Sequence, residues 1–87
     1  MKTVMKPVDM IAYFTIDELP RPMRFRVKAE NGEYLAFNIE RVLTRTEEKA
    51  GRELSLIYKC ECTINHRKRV VEFKYESASC RWTLTKL

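Results

Sequence analysis

Apolar and polar residues alternate along most of this chain, as they do in strands that bury one face of a sheet. The alternating stretches are rich in Tyr, Phe, Val, Ile and Thr, which favour strands over helices. The pattern predicts an all-β protein, a six-stranded antiparallel meander curled into a small barrel that hides its edges and its apolar face. The predicted strands cover residues 8–15, 23–29, 33–42, 53–64, 69–76 and 80–84.

The connection after the first strand contains two prolines. Thr15 and Glu18 have the spacing of a helix capping box, but Pro20 would end a helix within one turn. Residues 16–22 are therefore predicted to form a rigid loop with at most one helical turn. The same segment could bind a partner as an extended chain, although two prolines in one turn are more typical of a connection.

A second capping-box spacing precedes the fourth strand. Thr44 and Glu47 have this spacing, and Gly51 is placed where a short helix would end. We therefore expect one short helical turn over residues 47–50, linking the third and fourth strands.

The hairpin between the second and third strands has two conceivable registers. A two-residue turn at residues 31–32 would place apolar side chains opposite polar ones. A three-residue loop at residues 30–32, with Gly32 in the left-handed conformation of a bulge, aligns the apolar faces instead. The three-residue loop is the prediction. It pairs Val27 with Leu35 and Phe25 with Phe37.

Opposite charges select the registers of the last three strands. The predicted pairs are Ile64 with Val71, Glu61 with Lys74, Lys59 with Glu76, and, across a tight turn at residues 78–79, Tyr75 with Trp82 and Glu76 with Arg81. One face of each strand is predicted to be buried. These inward residues are Met23, Phe25, Val27, Ala29, Leu35, Phe37, Ile39, Leu54, Leu56, Tyr58, Cys60, Cys62, Ile64, Val71, Phe73, Tyr75, Cys80, Trp82 and Leu84.

Length and composition indicate one small domain over residues 1–87, with residues 1–7 as a loose lead. Two glycines and three prolines are too few for a disordered or linker-rich chain. Charged residues interrupt every apolar stretch, so neither a signal peptide nor a membrane span is expected. Three cysteines, an odd number, argue against a secreted disulfide framework and favour the cytoplasm.

Four segments, mostly in the second half of the chain, resemble a family of small uncharacterised bacterial proteins. The segments are Glu40-Arg41-Val42-Leu43, Tyr58-Lys59-Cys60, Glu72-Phe73-Lys74-Tyr75-Glu76 and Cys80-Arg81-Trp82-Thr83-Leu84. The resemblance implies a bacterial all-β protein and no particular activity. The strands lack the Gly-aromatic motifs of cold-shock and RRM proteins, so those RNA-binding families are not supported.

Cys60, Cys62, His66 and Cys80 offer the ligand atoms of a zinc site. Neither usual ligand spacing, Cys-x2-Cys nor His-x3-His, is present. In the predicted registers His66 and Cys80 also lie at opposite ends of the sheet. We therefore expect three buried thiols and no metal.

The sequence does not favour catalysis. His66, the only histidine, lies in a basic turn without a fixed nucleophile beside it, and two glycines cannot build a phosphate loop or a dinucleotide fingerprint. Glu47 and Glu48 are adjacent, so in the predicted helical turn their side chains would point apart. We expect no enzyme, no catalytic residue and no cofactor.

Charge placement is the one asymmetric feature of the chain, which carries a net charge of +5 and has a pI near 9.3. Arg24, Arg26 and Lys28 share the outer face of the second strand, and no acid lies opposite them in the predicted hairpin. Tyr34 on the third strand could stack on a base. A basic turn, Arg67-Lys68-Arg69, adds three further cations.

Two functions follow from these features. The first is a non-enzymatic binding module that engages an anionic partner, such as single-stranded nucleic acid, through this basic strand face. The alternative is a protein-interaction or structural subunit, an oligomer or a component of a complex, in which the cations only solvate a strand. The outward apolar groups available to the alternative are Ile57, Ala36 and Tyr34.

Overall fold

Six antiparallel strands follow one another in chain order around a closed barrel, and β6 returns to pair with β1. The computed structural model describes residues 2–16 and 19–87. This architecture confirms the all-β meander and the barrel. Residues 17 and 18 of the predicted proline-containing loop lie outside the described residues. The single helical turn predicted for this loop would include them, so it lies outside the described residues as well. The strands are β1 Thr3–Tyr13, β2 Arg21–Lys28, β3 Tyr34–Ala50, β4 Glu53–Ile64, β5 Arg67–Glu76 and β6 Arg81–Lys86.

The predicted alternation on β4 and β5 builds the core. Aromatic rings fill the interior. The centroids of Phe73 on β5 and Phe25 on β2 lie 4.9 Å apart across the barrel, and those of the cross-strand pair Tyr75 and Trp82 lie 4.8 Å apart. Buried aromatic and aliphatic side chains dominate the stability of a domain this small. The buried apolar residues are Phe25, Ile39, Leu56, Tyr58, Cys60, Cys62, Val71, Phe73, Tyr75, Trp82 and Leu84.

β3 is long enough to serve two neighbours in turn. Its first residues, from Tyr34 to Asn38, pair with β2, and the rest, from Ile39 to Ala50, pairs with β4. The predicted helical turn over residues 47–50 is therefore wrong. The capping-box spacing is a local signal, and ten cross-strand pairs with β4 outweigh it.

Gly51 has a structural role other than the predicted one. It adopts a φ of +64° in a two-residue turn with Arg52, between the paired residues Ala50 and Glu53. A glycine with positive φ at the first central position is typical of a type II′ hairpin. Gly51 thus closes a hairpin between β3 and β4 and does not end a helix.

The predicted register between β4 and β5 is wrong by four residues. Ile64 pairs with Arg67, not with Val71, because Asn65 and His66 form a two-residue turn. Their φ values, +51° and +64°, are those of a type I′ turn, which matches the twist of a hairpin. The charge pairs that the prediction relied on are replaced by others, such as Lys59 opposite Glu72.

The predicted register between β5 and β6 is confirmed, with Tyr75 opposite Trp82 and Glu76 opposite Arg81. The connection is longer than predicted and covers residues 77–80. Cys80 lies in this turn with a φ of +56° and is exposed. The prediction of a buried Cys80 at the start of the last strand is therefore wrong.

β1 begins at Thr3, so the segment predicted to be a loose lead pairs instead with β6. On β2, an irregularity opposite Ile11 and Ala12 makes Met23 an extra residue, and its side chain is exposed rather than inward. Leu35, close to the β2–β3 loop, is also exposed. These departures occur where strands bend or end.

The proline-containing connection is packed against the barrel. Pro20 is buried. Arg21 and Pro22, predicted to lie in this loop, instead begin β2, where Pro22 is buried and pairs with Ala12 of β1. The buried hydroxyl of Tyr58 donates a hydrogen bond to the carbonyl of Pro20. Buried prolines cannot offer a free polyproline surface, so this part of the connection is structural.

The predicted β2–β3 hairpin is confirmed. Phe25 pairs with Phe37, Val27 pairs with Leu35, and Gly32 has a φ of +88°. Hydrogen bonds from Ala29 N to Glu33 O and from Gly32 N to Ala29 O close the loop.

Replacing Gly32 with valine should destabilise the protein by about 1–2 kcal/mol, because a β-branched residue strains this backbone conformation. A Cβ atom at this position would meet nothing within 4 Å, so the cost is conformational and not steric. Gly32→Asn, which tolerates positive φ, should lose much less. Urea denaturation measures both variants, and equal stability of the two would contradict the assigned loop geometry.

Burial separates the three cysteines by reactivity. Desolvation raises the pKa of both Cys60 and Cys62 to about 12, whereas Cys80 is exposed. A thiol reagent at neutral pH should therefore label one cysteine quickly in the folded protein and all three after denaturation. Rapid labelling of two or three thiols in the folded state would contradict this assignment.

The raised pKa of the two buried thiols also makes stability depend on pH. Because the ordinary thiol pKa is 9.0, the free energy of unfolding should fall as the pH rises from about 9 towards 12.

Candidate nucleic-acid interface

β1, β2 and the first part of β3 form one continuous outer face. Arg24, Arg26 and Lys28 alternate along β2 with the inward residues Phe25 and Val27. Each outward cation therefore belongs to a row that crosses neighbouring strands. The rows are Ile11, Arg24 and Asn38; Asp9, Arg26 and Ala36; and Lys28 with Tyr34.

Arg26 is the most constrained cation of this face. Its Nε lies 2.6 Å from Asp9 Oδ2, and its Cζ lies 4.2 Å from the centroid of the Tyr34 ring. The hydrogen bond to Asp9 raises the pKa of Arg26. The prediction that no acid lies opposite the three cations in the β2–β3 hairpin is confirmed. Asp9 belongs to β1, whose register with β2 was not predicted.

The charges of Arg24 and Lys28 are offset less by neighbouring groups than the charge of Arg26 is. Arg24 Nη1 donates a hydrogen bond of 2.7 Å to the neutral amide oxygen of Asn38. Lys28 Nζ lies 6.0 Å from the centroid of Tyr34, within reach of a cation–π contact. Within residues 2–16 and 19–87, neither cation forms an ion pair with a carboxylate.

The pairing of β1 with β2 adds two residues to this face. Arg21 pairs with Tyr13, whose side chain is 63% exposed. Tyr34, at the far end of β2, is 53% exposed. β2 has eight residues from Arg21 to Lys28, one of them the extra residue of the bulge, so at the rise of a strand the two tyrosines lie about 20 Å apart along it. We call Tyr13, Arg21, Arg24, Arg26, Lys28 and Tyr34 the basic face.

Sequence reasoning identified four members of the basic face as site residues but did not include Tyr13. A signal was available, because Asp9, Ile11 and Tyr13 share one side of an alternating strand. This signal shows which side of β1 Tyr13 occupies, but it does not show which residue of β2 lies opposite. That register cannot be predicted from the sequence of the proline-containing loop.

Two shallow cavities lie beside Arg26 on the basic face. One, of about 470 Å³, is lined by residues that include Ile11, Arg24 and Ala36. The other, of about 220 Å³, lies between Arg26, Lys28 and Tyr34. Asp9, whose carboxylate pairs with Arg26, lines both cavities together with cations and apolar side chains. A base could stack on the apolar surface, with its phosphate at Arg24 or Lys28.

The basic turn lies elsewhere on the barrel. Arg67, Lys68 and Arg69 begin β5, which neighbours β4 and β6 but not β2. Lys68 Nζ lies 3.8 Å from Glu61 Oε1, so that cation is partly offset. Two strands, β3 and β4, therefore separate the basic turn from β2, so the basic turn is not part of the basic face.

Within the described residues, no group of three or more histidine, cysteine, aspartate or glutamate side chains could hold a metal ion. His66 lies in the β4–β5 turn, while Cys80 lies in the β5–β6 turn at the other end of β5. The described part of the chain also has no helix of the length and apolarity needed to cross a membrane.

Comparison of the chain with protein-family models, curated proteins and solved structures finds no match. The resemblance to small bacterial proteins therefore stays a prediction.

Proposed function

We propose that this protein is a non-enzymatic module that binds single-stranded nucleic acid through its basic face. The observation that supports the proposal is the alignment of four exposed cations along β2, with an exposed tyrosine at each end. Cations and aromatic rings along one groove are the usual elements of single-strand binding, in which phosphates contact the cations and bases stack on the rings.

Electrostatics favour a polyanion over a small ligand. Asp9 is the one acid that pairs with a cation of the basic face among the described residues, and it offsets Arg26 alone. Arg21, Arg24 and Lys28 remain to neutralise phosphates, which would release counterions and make the affinity fall with salt. On the other side of the barrel some cations are offset by acids, such as Lys86 by Glu72 and Lys68 by Glu61.

Tyr34 is the residue through which a base would bind most directly. Arg26 lies over its ring, so a base on the opposite side of the ring would complete a stack of guanidinium, tyrosine and base. The Arg26–Asp9 ion pair holds the guanidinium in this position. Arg26 therefore acts here as a positioning residue as well as a cation.

The protein is also proposed to act in a bacterial cytoplasm. Its three cysteines are free, and two of them are fully buried, as expected of thiols that stay reduced. The bacterial source rests on the sequence resemblance.

A titration of a fluorescent single-stranded oligonucleotide at two salt concentrations tests the proposal. Wild-type protein should bind at low salt and lose affinity steeply as salt rises. Tyr34→Ala should weaken binding by about 1–3 kcal/mol through loss of stacking, whereas Tyr34→Phe should bind like wild type. No binding at low salt, or equal losses in the two variants, would exclude the proposed stacking mode.

A second candidate function, protein docking, has its own observation. Large apolar side chains are exposed around the end of the β1–β2 pair, including Ile11, Tyr13, Phe14, Ile16 and Met23. Beside them, a depression of about 910 Å³ between β1 and the β5–β6 hairpin is lined in part by Phe14 and Trp82. Exposed apolar clusters of this kind mark interaction surfaces. A protein that binds no oligonucleotide but loses self-association or partner binding in an Ile11→Ser variant would favour this function.

A further inference from the structure

The second half of β3 has one edge without a strand partner. β2 pairs with β3 only as far as Asn38, whereas β3 continues to Ala50 along β4. Residues 19–21 share a small cavity with Arg41, Val42 and Arg45, so they flank the beginning of this edge. Beyond that point, in the described part of the chain, no strand pairs with the edge, whose backbone groups form a template for another strand.

We propose that a second copy of this chain pairs with this free edge, antiparallel and centred on Thr46. This interface would join the β3–β4 hairpins of two barrels into one continuous sheet. It uses none of the residues of the basic face, and it is independent of the proposed function.

Symmetry restricts how two such edges can meet. Two identical strands that lie side by side and antiparallel are related by a two-fold axis perpendicular to the sheet. Directly opposite residues point to the same face of an antiparallel sheet. The axis must therefore lie midway between one residue and the same residue of the other copy. Each register is therefore defined by the one residue that faces its own copy.

Charge excludes most of these registers. Centring the pair on Arg45, Glu47, Glu48 or Lys49 would set two like charges against each other on the axis. Centring on Thr44 would extend the pairing into the irregular part of β3 and set Glu40 opposite Glu48. A pair centred on Ala50, the last residue of β3, would run past the end of the strand into the turn. Thr46 is the remaining centre within the straight part of the edge.

The register centred on Thr46 is complementary in charge. Arg45 of each copy lies opposite Glu47 of the other, and Thr44 lies opposite Glu48. The charges that would protect this edge from foreign strands therefore match a second copy of the same edge. Because few residues take part, we expect a dimer whose population depends on protein concentration.

Sedimentation equilibrium of the full chain without nucleic acid tests the interface. Wild-type protein should change from monomer to dimer as its concentration rises. Arg45→Glu and Glu47→Arg should each weaken dimerisation about tenfold or more, since each replaces two symmetric attractions with two repulsions. The double variant Arg45→Glu/Glu47→Arg should restore dimerisation, because it exchanges the partners of each pair.

Matched controls lie on the same hairpin but away from the edge. Arg52→Glu in the turn and Glu53→Arg on β4 change the net charge equally and should leave the dimer unchanged. If Arg45→Glu fails to fold by circular dichroism, Thr46→Lys, which places two lysines on the axis at an exposed position, should give the same loss. A wild-type monomer at every concentration, an assembly other than a dimer, or a double variant no better than the single ones would overturn the proposal.

Discussion

A Phe73→Ala variant is expected to lose about 3–5 kcal/mol of stability, the usual cost of removing a buried phenyl ring. Phe73 is fully buried on β5, pairs with Tyr58 of β4 and Leu84 of β6, and packs edge-on against Phe25 of β2. Domains of this size have a total stability of only about 5–15 kcal/mol, so this one cavity should leave a measurable unfolded population.

Urea denaturation followed by the fluorescence of Trp82, the only tryptophan, measures this loss. Val70→Ala is the matched control, because Val70 lies on the same strand but is 38% exposed on the outer side. It should change stability by less than about 0.5 kcal/mol. A Phe73→Ala variant within about 1 kcal/mol of wild type would contradict the described core.

Reversal of three charges on β2, in the variant Arg24→Glu/Arg26→Glu/Lys28→Glu, is expected to abolish binding of a single-stranded oligonucleotide. The change removes two of the cations proposed to contact phosphates, Arg24 and Lys28, together with the Arg26–Asp9 ion pair, and it adds three negative charges to a face that already carries Asp9. The three side chains are exposed, so the barrel should still fold, which circular dichroism can verify.

The matched control is the variant Arg52→Glu/Lys59→Glu/Lys74→Glu, which makes the same change in net charge on the β3–β4 turn, β4 and β5. Lys59 pairs with Glu72, so this control also brings like charges together once, as Arg26→Glu does beside Asp9. Its binding should weaken only through the general loss of positive charge. Equal loss of binding in both triple variants would indicate that the oligonucleotide is attracted by the overall positive charge. It would rule out the basic face as the binding site.

Sequence reasoning succeeded where burial constrains the strand directly. β4, and β5 from Val71 onward, alternate regularly in sequence, and a shift by one residue would expose a whole apolar face, so their buried apolar residues could be predicted. The β2–β3 hairpin was predicted for the same reason, because only one loop length sets Phe25 opposite Phe37. In both cases local pattern and tertiary packing agree.

Prediction failed where a local signal competed with long-range pairing. Residues 47–50 have the spacing of a helix start, but their pairing with β4 determines their conformation. The β4–β5 register was chosen by surface charge pairs, each of which contributes little. The turn chemistry of Asn65 and His66 was the stronger determinant, since two residues with positive φ allow a tight hairpin.

The candidate site was predicted only in part for a related reason. Side-chain alternation identified Arg24, Arg26 and Lys28 as outward, and the β2–β3 register placed Tyr34 beside them. Asp9 and Tyr13 enter the site through the pairing of β1 with β2. That pairing depends on how the intervening loop packs on the barrel, through contacts such as Tyr58 with Pro20, and no local pattern specifies it.

The proposed interface is tested most directly by a nuclear magnetic resonance titration of the labelled protein with a short single-stranded oligonucleotide. We expect the largest shifts on the basic face, at Tyr13, Arg24, Arg26, Lys28 and Tyr34, and we expect them to diminish as salt is added. The basic turn on β5 should shift much less. Shifts centred on Arg67, Lys68 and Arg69, or none at low salt, would contradict the account.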